Sequence, residues 1–313
     1  MPVGSVAVTG VAAPVGERVV ALLERDRIVT DDVTAADVVV MLSSSTVQGV
    51  LDALENLTPA AVVLLSSAIV YGGWPDNPVP ITEDAPIRPN PGVTEAAEYA
   101  EAERLVAVWS ADHPGVPVAV LRAATVIAPG TTNWLADALT GMSTVRPARP
   151  EPARQFVHAD DVASAVAFAV ARRVDGVFNV APSGAVAADV VRELCAWHLT
   201  LPVPAAVAPS AARWAWALRL SPVPPAALPL VEHAWVVASD RLQAAGWVPR
   251  YSSEEAVVAG RSPSWWRELG PGQRQRAALI GAGVLATSAV AGVGAAVARA
   301  RRRVSPGGRR PRR

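Results

Sequence analysis

The 313-residue chain contains no lysine; all 28 of its basic residues are arginine. No chemistry here can rest on a lysine ammonium. Codon usage in a GC-rich genome accounts for the composition as such, but not for the loss of a lysine where a reaction would demand one. A single cysteine, Cys195, excludes an internal disulfide and any cysteine-based zinc site. Internal repeats are missing. The N-terminus, MPVGSVAVTG, lacks the basic region of a secretory signal and runs straight into an apolar strand, so the body is expected in the cytoplasm. Acid is missing from the far end: residues 271–313 carry ten arginines and no Asp or Glu. The preceding 270 residues hold 18 arginines against 28 acids, a net charge of −10 hidden under an overall balance of zero. An acidic body argues against a nucleic-acid partner.

What is present is apolar: 51% of the chain, enough for a sizeable core. Val6–Thr9 reads as a strand ending in a glycine turn, followed by a helix from Pro14 to Arg25 with Val15, Val19, Leu22 and Leu23 on one face. Ile28–Thr30 is a short strand. Asp37–Leu42 (DVVVML) and Ala61–Ser66 (AVVLLS) are too apolar to alternate, as buried parallel strands tend to be. Thr46–Leu57 and Thr94–His113 read as helices, and Val118–Leu121 as the next strand. Strands alternating with helices predict a doubly wound α/β sheet covered on both faces. After Pro147 the texture changes. Asp160–Arg172 is helical and Gly176–Val180 a strand, but residues 200–230 are rich in proline, alanine and tryptophan without a clear period. The expected organisation is a Rossmann-like part over about residues 1–150, a small substrate lobe over about 151–262, a linker at 263–276, an uncharged helix at 277–298 and a basic tail at 299–313.

The first chemical motif is VAVTGVAAPVG, Val6 to Gly16. Gly10 permits the tight turn, Gly16 lets helix and strand pack closely, and the helix N-terminus can receive a pyrophosphate. Thr9 ends the strand, and Ala13 stands where the middle glycine of such a turn belongs. Asp31 follows Gly10 by 21 residues, near the distance expected of an acid that holds a ribose; the bland alternative is a solvated loop residue. Only 27 residues separate Gly10 from Asp37, room for one helix and one short strand.

Further segments share one resemblance. VVLLSSAIVYG (Val62–Gly72), PITEDAPIRP (Pro80–Pro89), VLRAATVIAPG (Val120–Gly130), RQFVHADDVASAV (Arg154–Val166), GVFNVA (Gly176–Ala181) and SDRLQAAGWVPRYSSEEAV (Ser239–Val257) resemble, in order, motifs of the extended short-chain dehydrogenase/reductase, or NAD-dependent epimerase/dehydratase, family. The resemblance implies a Rossmann fold, NAD as cofactor with Thr9, Gly10, Ala13, Gly16 and Asp31 in its site, and a nucleotide or nucleotide-sugar ligand. The family fits another strand and helix between Gly10 and the DVVVML strand, so the adenosine half of the sheet should be truncated.

The resemblance also implies a catalytic site, which this chain departs from. Ser67 matches the serine that hydrogen-bonds the substrate oxygen. The family's tyrosine and lysine sit four residues apart on the next helix, and EYAEAERLV (Glu98–Val106) sets the register: the lysine position falls on Tyr99 and the tyrosine position on Glu95. A free phenol has a pKa of about 10, which a lysine ammonium lowers so that it can serve as a general base. Here Glu95 lies on the same helix face as Tyr99 and should raise it instead. Arg122 and Arg88 are candidates for a replacement positive charge. Tyr71, close to Ser67, is a second phenol to which the acid/base could have moved.

Other residues are read more plainly. His158 is expected to be a hydrogen-bonded histidine at the lobe junction. Asp160 and Asp161 are adjacent, point different ways and should begin a helix. Cys195 and His198 are expected in core packing rather than on a metal. Trp214 and Trp216, or Trp265 and Trp266, fit lobe packing or membrane-interface anchoring.

Residues 277–298 would span about 33 Å as a helix, close to the hydrocarbon thickness of a bilayer. Nine alanines and four glycines against seven Leu, Ile or Val make the segment marginal as a span. Ser288, Gly292 and Ala296 follow the small-xxx-small spacing of packed membrane helices. Eight arginines follow. A single crossing would separate this tail from a cytoplasmic body, against the positive-inside rule. Three readings stand beside one another: a tail anchor that crosses the bilayer, a helix lying in the interface held by anionic lipid and the basic tail, and a disordered or soluble tail. The sequence therefore supports three functional readings: a membrane-associated member with a degenerate catalytic site that still binds a dinucleotide or nucleotide sugar; an active epimerase, dehydratase or reductase with a relocated acid/base; and a cofactor-free interaction protein.

Overall fold

The computed structural model describes residues 4–11, 14–127, 134–140, 145–147, 150–195, 201–204, 206–219 and 223–260. The expectations for Ala13, His198, Trp265, Trp266, the linker, the 277–298 helix and the basic tail lie outside these residues. Among the described residues no helix is long and apolar enough to cross a membrane.

The glycine turn joins β1 (Ser5–Thr9) to α1 (Pro14–Leu23), and β2 (Ile28–Thr30) returns beside β1. The apolar runs become β3 (Val38–Met41) and β4 (Ala61–Ser67), with α2 (Val47–Ala53) between them. Helix α2 is shorter than its apolar pattern predicts. A 3-10 turn over Ser44–Thr46, capped by the Ser43 side chain, occupies the approach, and the helix closes at Leu54. The long helix α3 (Thr94–Asp112) leads to β5 (Val118–Ala123).

All strands of the main sheet are parallel, in the order β2, β1, β3, β4, β5 and then β9 (Gly176–Val180). The sheet ends one strand beyond β1, because residues 10–37 hold only α1 and the three-residue β2. Pleating divides the apolar strands between two cores. Val6, Val8, Val38, Val40 and Val63 face one core with α1 and α5 (Ala159–Arg172). Ala7, Val39, Met41, Val62 and Leu64 face the other with α2 and α3. Burial on both faces is why these strands do not alternate in sequence.

The boundary expected near residue 150 is not a clean one. Strand β9 pairs with β5 and completes the main sheet, and α5 packs on α1. The irregular lobe instead gathers two stretches around them. The first holds β6 (Thr125–Ile127), α4 (Trp134–Leu139), β7 (Val145–Pro147) and β8 (Phe156–His158). The second holds α6 (Ala188–Cys195), β10 (Leu201–Val203), α7 (Ala208–Ala217), α8 (Leu228–Glu232), α9 (Asp240–Ala244) and α10 (Ser253–Ala259). A small parallel ladder of β7 with β10 ties the stretches together, and a second, β6 with β8, lies within the first. Residues 1–261 form one compact unit.

Candidate functional site at the C-terminal edge of the sheet

The turn after β1 is fixed by its own packing. Gly10 sits at φ +78°, and a Cβ there would lie 2.7 Å from the Ser43 Cβ and 2.8 Å from its backbone nitrogen. A Cβ on Gly16 would lie 2.5 Å from the Val11 carbonyl oxygen. Only glycine fits either place. Thr9 Oγ1 is 3.3 Å from Thr46 Oγ1, and Ser43 and Ser45 share a 2.8 Å hydroxyl contact beside the turn. This Ser43-Ser45-Thr46 group is a set of polar neighbours that motif reading missed; the signal was the run SSST directly after a buried strand. Asp31 is exposed immediately after β2.

Arg18, early in α1, reaches Asp160 at the start of α5 through a 2.7 Å ion pair. His158 caps α5, its Nδ1 accepting from the Asp160 backbone N–H at 3.2 Å, and its ring lies 4.1 Å from that of Tyr251. Asp161 is fully buried and accepts from the backbone N–H groups of Arg250 and Tyr251. The histidine thus serves the junction, and the two adjacent aspartates face different elements.

Ser67 ends β4 and caps a 3-10 turn over Ala68–Tyr71, its Oγ accepting from the Ile69 N–H at 3.3 Å. Tyr71, in the same turn, is only 1% exposed. Its hydroxyl donates to Asn179 Oδ1 at 2.9 Å and accepts from Arg122 Nη1 at 2.8 Å. Burial pushes this phenol above its usual range, and the neighbouring Arg122 offsets only part of that rise. Arg122 itself forks onto Glu103 at 2.7–3.1 Å, and Ser66 donates to the same carboxylate at 2.5 Å. This buried network joins α3, β4, β5 and β9. A role for Tyr71 as a relocated acid/base would first require its hydroxyl to leave both partners.

Tyr99 lies one helical turn after Glu95 on α3, partly buried against the core. Burial first, then the carboxylates of Glu95 and Glu98, push its phenol up to about 12. Glu95 accepts a 2.6 Å hydrogen bond from the Trp134 indole at the start of α4. Neither candidate arginine compensates. Arg122 is committed to Glu103 and Tyr71, and Arg88 to Asp76 and Asn77, with its guanidinium 5.6 Å from the Trp74 ring. Among the described residues no hydrogen bond joins Tyr99 to Ser67, Tyr71, Arg88 or Arg122.

Residues 29–181 match the model of the NAD dependent epimerase/dehydratase family. Over this stretch, just under half of the chain, the sequence resembles that family. No curated protein matches the sequence significantly. Among solved structures, the chain is similar to the UDP-glucose 4-epimerase of Thermus thermophilus in complex with NAD, at 18% identity and a TM-score of 0.59, covering 82% of this chain and 97% of that one. It is similar to the dTDP-glucose 4,6-dehydratase of Bacillus anthracis in complex with NAD, at 14% identity and a TM-score of 0.59, covering 82% and 95%. The UDP-N-acetylglucosamine 4-epimerase of Methanobrevibacter ruminantium, in complex with UDP-N-acetylmuramic acid, gives 16% identity and a TM-score of 0.59 over 83% and 97%. At these identities the likeness is one of fold. The parallel sheet belongs to that fold.

Proposed function

We propose that the protein is a dinucleotide- or nucleotide-sugar-binding member of the epimerase/dehydratase family whose catalytic site is degenerate, and that residues 277–313 hold it at the cytoplasmic face of a membrane. The carrying observation is Tyr99. With its phenol at about 12, only about one molecule in 10⁵ would carry a phenolate at neutral pH. Its helical neighbour, where the family has tyrosine, is a carboxylate bound to an indole. The tyrosine base that the resemblance implies is therefore not reproduced at either position.

The residues that remain fit a dinucleotide. The Gly10 turn and the start of α1 would take the pyrophosphate, with Thr9, Ala13 and Gly16 shaping the approach, and Asp31 would accept from a ribose hydroxyl while repelling a 2′-phosphate. NAD, when bound, would supply a hydride acceptor. Adenosine would find a short sheet edge, because among the described residues the three-residue β2 is the edge strand. Weak binding of NAD over NADP follows. Names of the structural neighbours, three of them solved with a nicotinamide cofactor or a nucleotide sugar, support the same ligand class.

Calorimetry on the full chain tests the binding half of this reading. Heat with NAD at millimolar concentration and less with NADP is expected. No heat with either, or a preference for NADP, defeats it. A panel of nucleotide sugars with NAD, followed at 340 nm and by sugar analysis, should show no turnover. Turnover abolished by Tyr71→Phe would mean that the acid/base has moved. For the tail, high salt or alkaline carbonate should release a surface-lying protein from membranes, whereas a bilayer-crossing one needs detergent. A full-length protein that stays soluble at low salt would refute membrane attachment.

A further inference from the structure

Helix α7 carries a face that the body does not use. Trp214 is 69% exposed and Trp216 45%, so neither packs the lobe. At 3.6 residues per turn, Trp216, Arg213, Ala217 and Trp214 succeed one another across the solvent side, with buried Ala208 and Ala215 opposite. Leu218, 62% exposed, extends the patch beyond the last turn, Val207 is exposed before the first, and Arg219 follows at φ +56°. The side turned inward is built of alanine, and the large apolar side chains point out, the reverse of a helix that serves a soluble core.

Charge identifies the occupant. The body has a net charge of −10, yet no Asp or Glu occurs anywhere in residues 194–231. The charged residues in that stretch are Arg213 and Arg219, one between the two tryptophans on the helix surface and one just past them. Indole rings with a polar N–H and a large apolar body settle at the level of lipid headgroups, and arginines beside them meet anionic phosphates. An acid-free, tryptophan- and arginine-bearing patch on an otherwise acidic protein is complementary to an anionic bilayer and to little else on a negative surface.

We infer that the exposed face of α7, with Trp214, Trp216, Leu218, Arg213 and Arg219, is a docking surface for anionic lipid, separate from the 277–313 segment. This surface is made of the body's own side chains and does not require that segment to bind. It gives the body a second, shallow contact with the membrane.

Hydrogen exchange on the full chain, with and without vesicles of phosphatidylcholine and phosphatidylglycerol at 3:1, resolves the two contacts by peptide. Protection should appear in peptides covering residues 206–219 and be absent with pure phosphatidylcholine vesicles. Trp214→Ala with Trp216→Ala should remove that protection and weaken vesicle co-sedimentation about tenfold. Arg213→Glu with Arg219→Glu, which keeps both indoles, should do the same on the charged vesicles. These positions are exposed, and circular dichroism should be unchanged. Protection confined to residues 262–313 would overturn the inference even if the protein binds membranes. Protection of 206–219 that rises with protein concentration without vesicles would replace lipid with a second copy. Unchanged exchange on vesicles, with cellular cross-links from this helix to another protein, would replace it with a protein partner.

Discussion

Two features at the same edge of one sheet have fared differently. The turn after β1 holds Gly10 and Gly16 where no side chain fits, whereas helix α3 carries Glu95 and Tyr99, the positions on which the proposed loss of catalysis rests. The contrast follows from what each feature does for the fold. Gly10 is demanded by Ser43 and Gly16 by Val11, so the turn is needed for the chain to pack at all. Positions 95 and 99 of α3 are under no such backbone demand, though both are half-buried, Tyr99 against the core and Glu95 on the Trp134 indole. One turn further along nearly the same face, Glu103 is locked to Arg122. Retained glycines therefore testify to the fold first and to a cofactor second, which makes direct titration with NAD the decisive measurement.

The largest effect should come from Glu103 on α3. Glu103→Ala leaves the Arg122 guanidinium buried without its carboxylate, and should cost about 3–5 kcal/mol in urea unfolding. In a domain of this size the melting temperature should fall by on the order of 10 °C. A loss below about 1 kcal/mol would mean that Tyr71 and the Glu83 carbonyl suffice to hold Arg122.

Position 99 is sharpened by alkaline titration. Below pH 10 both folded and unfolded Tyr99 keep the proton, and nothing is lost. As pH rises from 10 to about 12 the unfolded chain releases it while the folded chain holds it, so stability should fall by about 2–3 kcal/mol. Tyr99→Phe should flatten that slope by the same amount. Glu95→Gln should bring the phenol down, measured by its absorbance near 295 nm.

Gly10→Ala tests the turn. The left-handed backbone and the contact with Ser43 should together cost about 2 kcal/mol and abolish any heat with NAD. If stability falls but NAD binding survives, the turn is a structural element only.

The smallest effect is expected at Ser67. Ser67→Ala removes one 3.3 Å bond to the Ile69 N–H, worth about 0.5–1 kcal/mol, and should leave the nucleotide-sugar panel unchanged. A measurable change in turnover would show that a catalytic site persists after all.

The main strands and the limits of α3 were legible because burial on both faces leaves apolar runs and a long helix leaves a long window. Strands β3 and β4 differ from their sequence limits by a residue at an end, and α3 runs Thr94–Asp112 against an expected His113. The register of Glu95 and Tyr99 could also be read, since four residues make one turn. The place of β9 and α5 could not. Their membership of the main sheet rests on pairing between β5 and β9, residues separated by an irregular insertion. The same holds for the site's partners. Trp134 on Glu95, and Tyr71 between Asn179 and Arg122, are contacts across 39 to 108 residues, with no periodic trace in sequence.

The short β2 has an architectural consequence. Its three residues are all that stand between β1 and the open side of the sheet. While β2 is paired, β1 is an interior strand with a neighbour on each flank, and the turn it carries is braced from both sides. Trimming the outermost strand of a larger sheet would cost little, because an edge strand braces nothing beyond itself. The next strand inward is another matter: without β2, β1 would become the rim, its amides open to any passing chain and its turn free to fray. In this protein three residues keep the strand that carries the Gly10 turn off the rim.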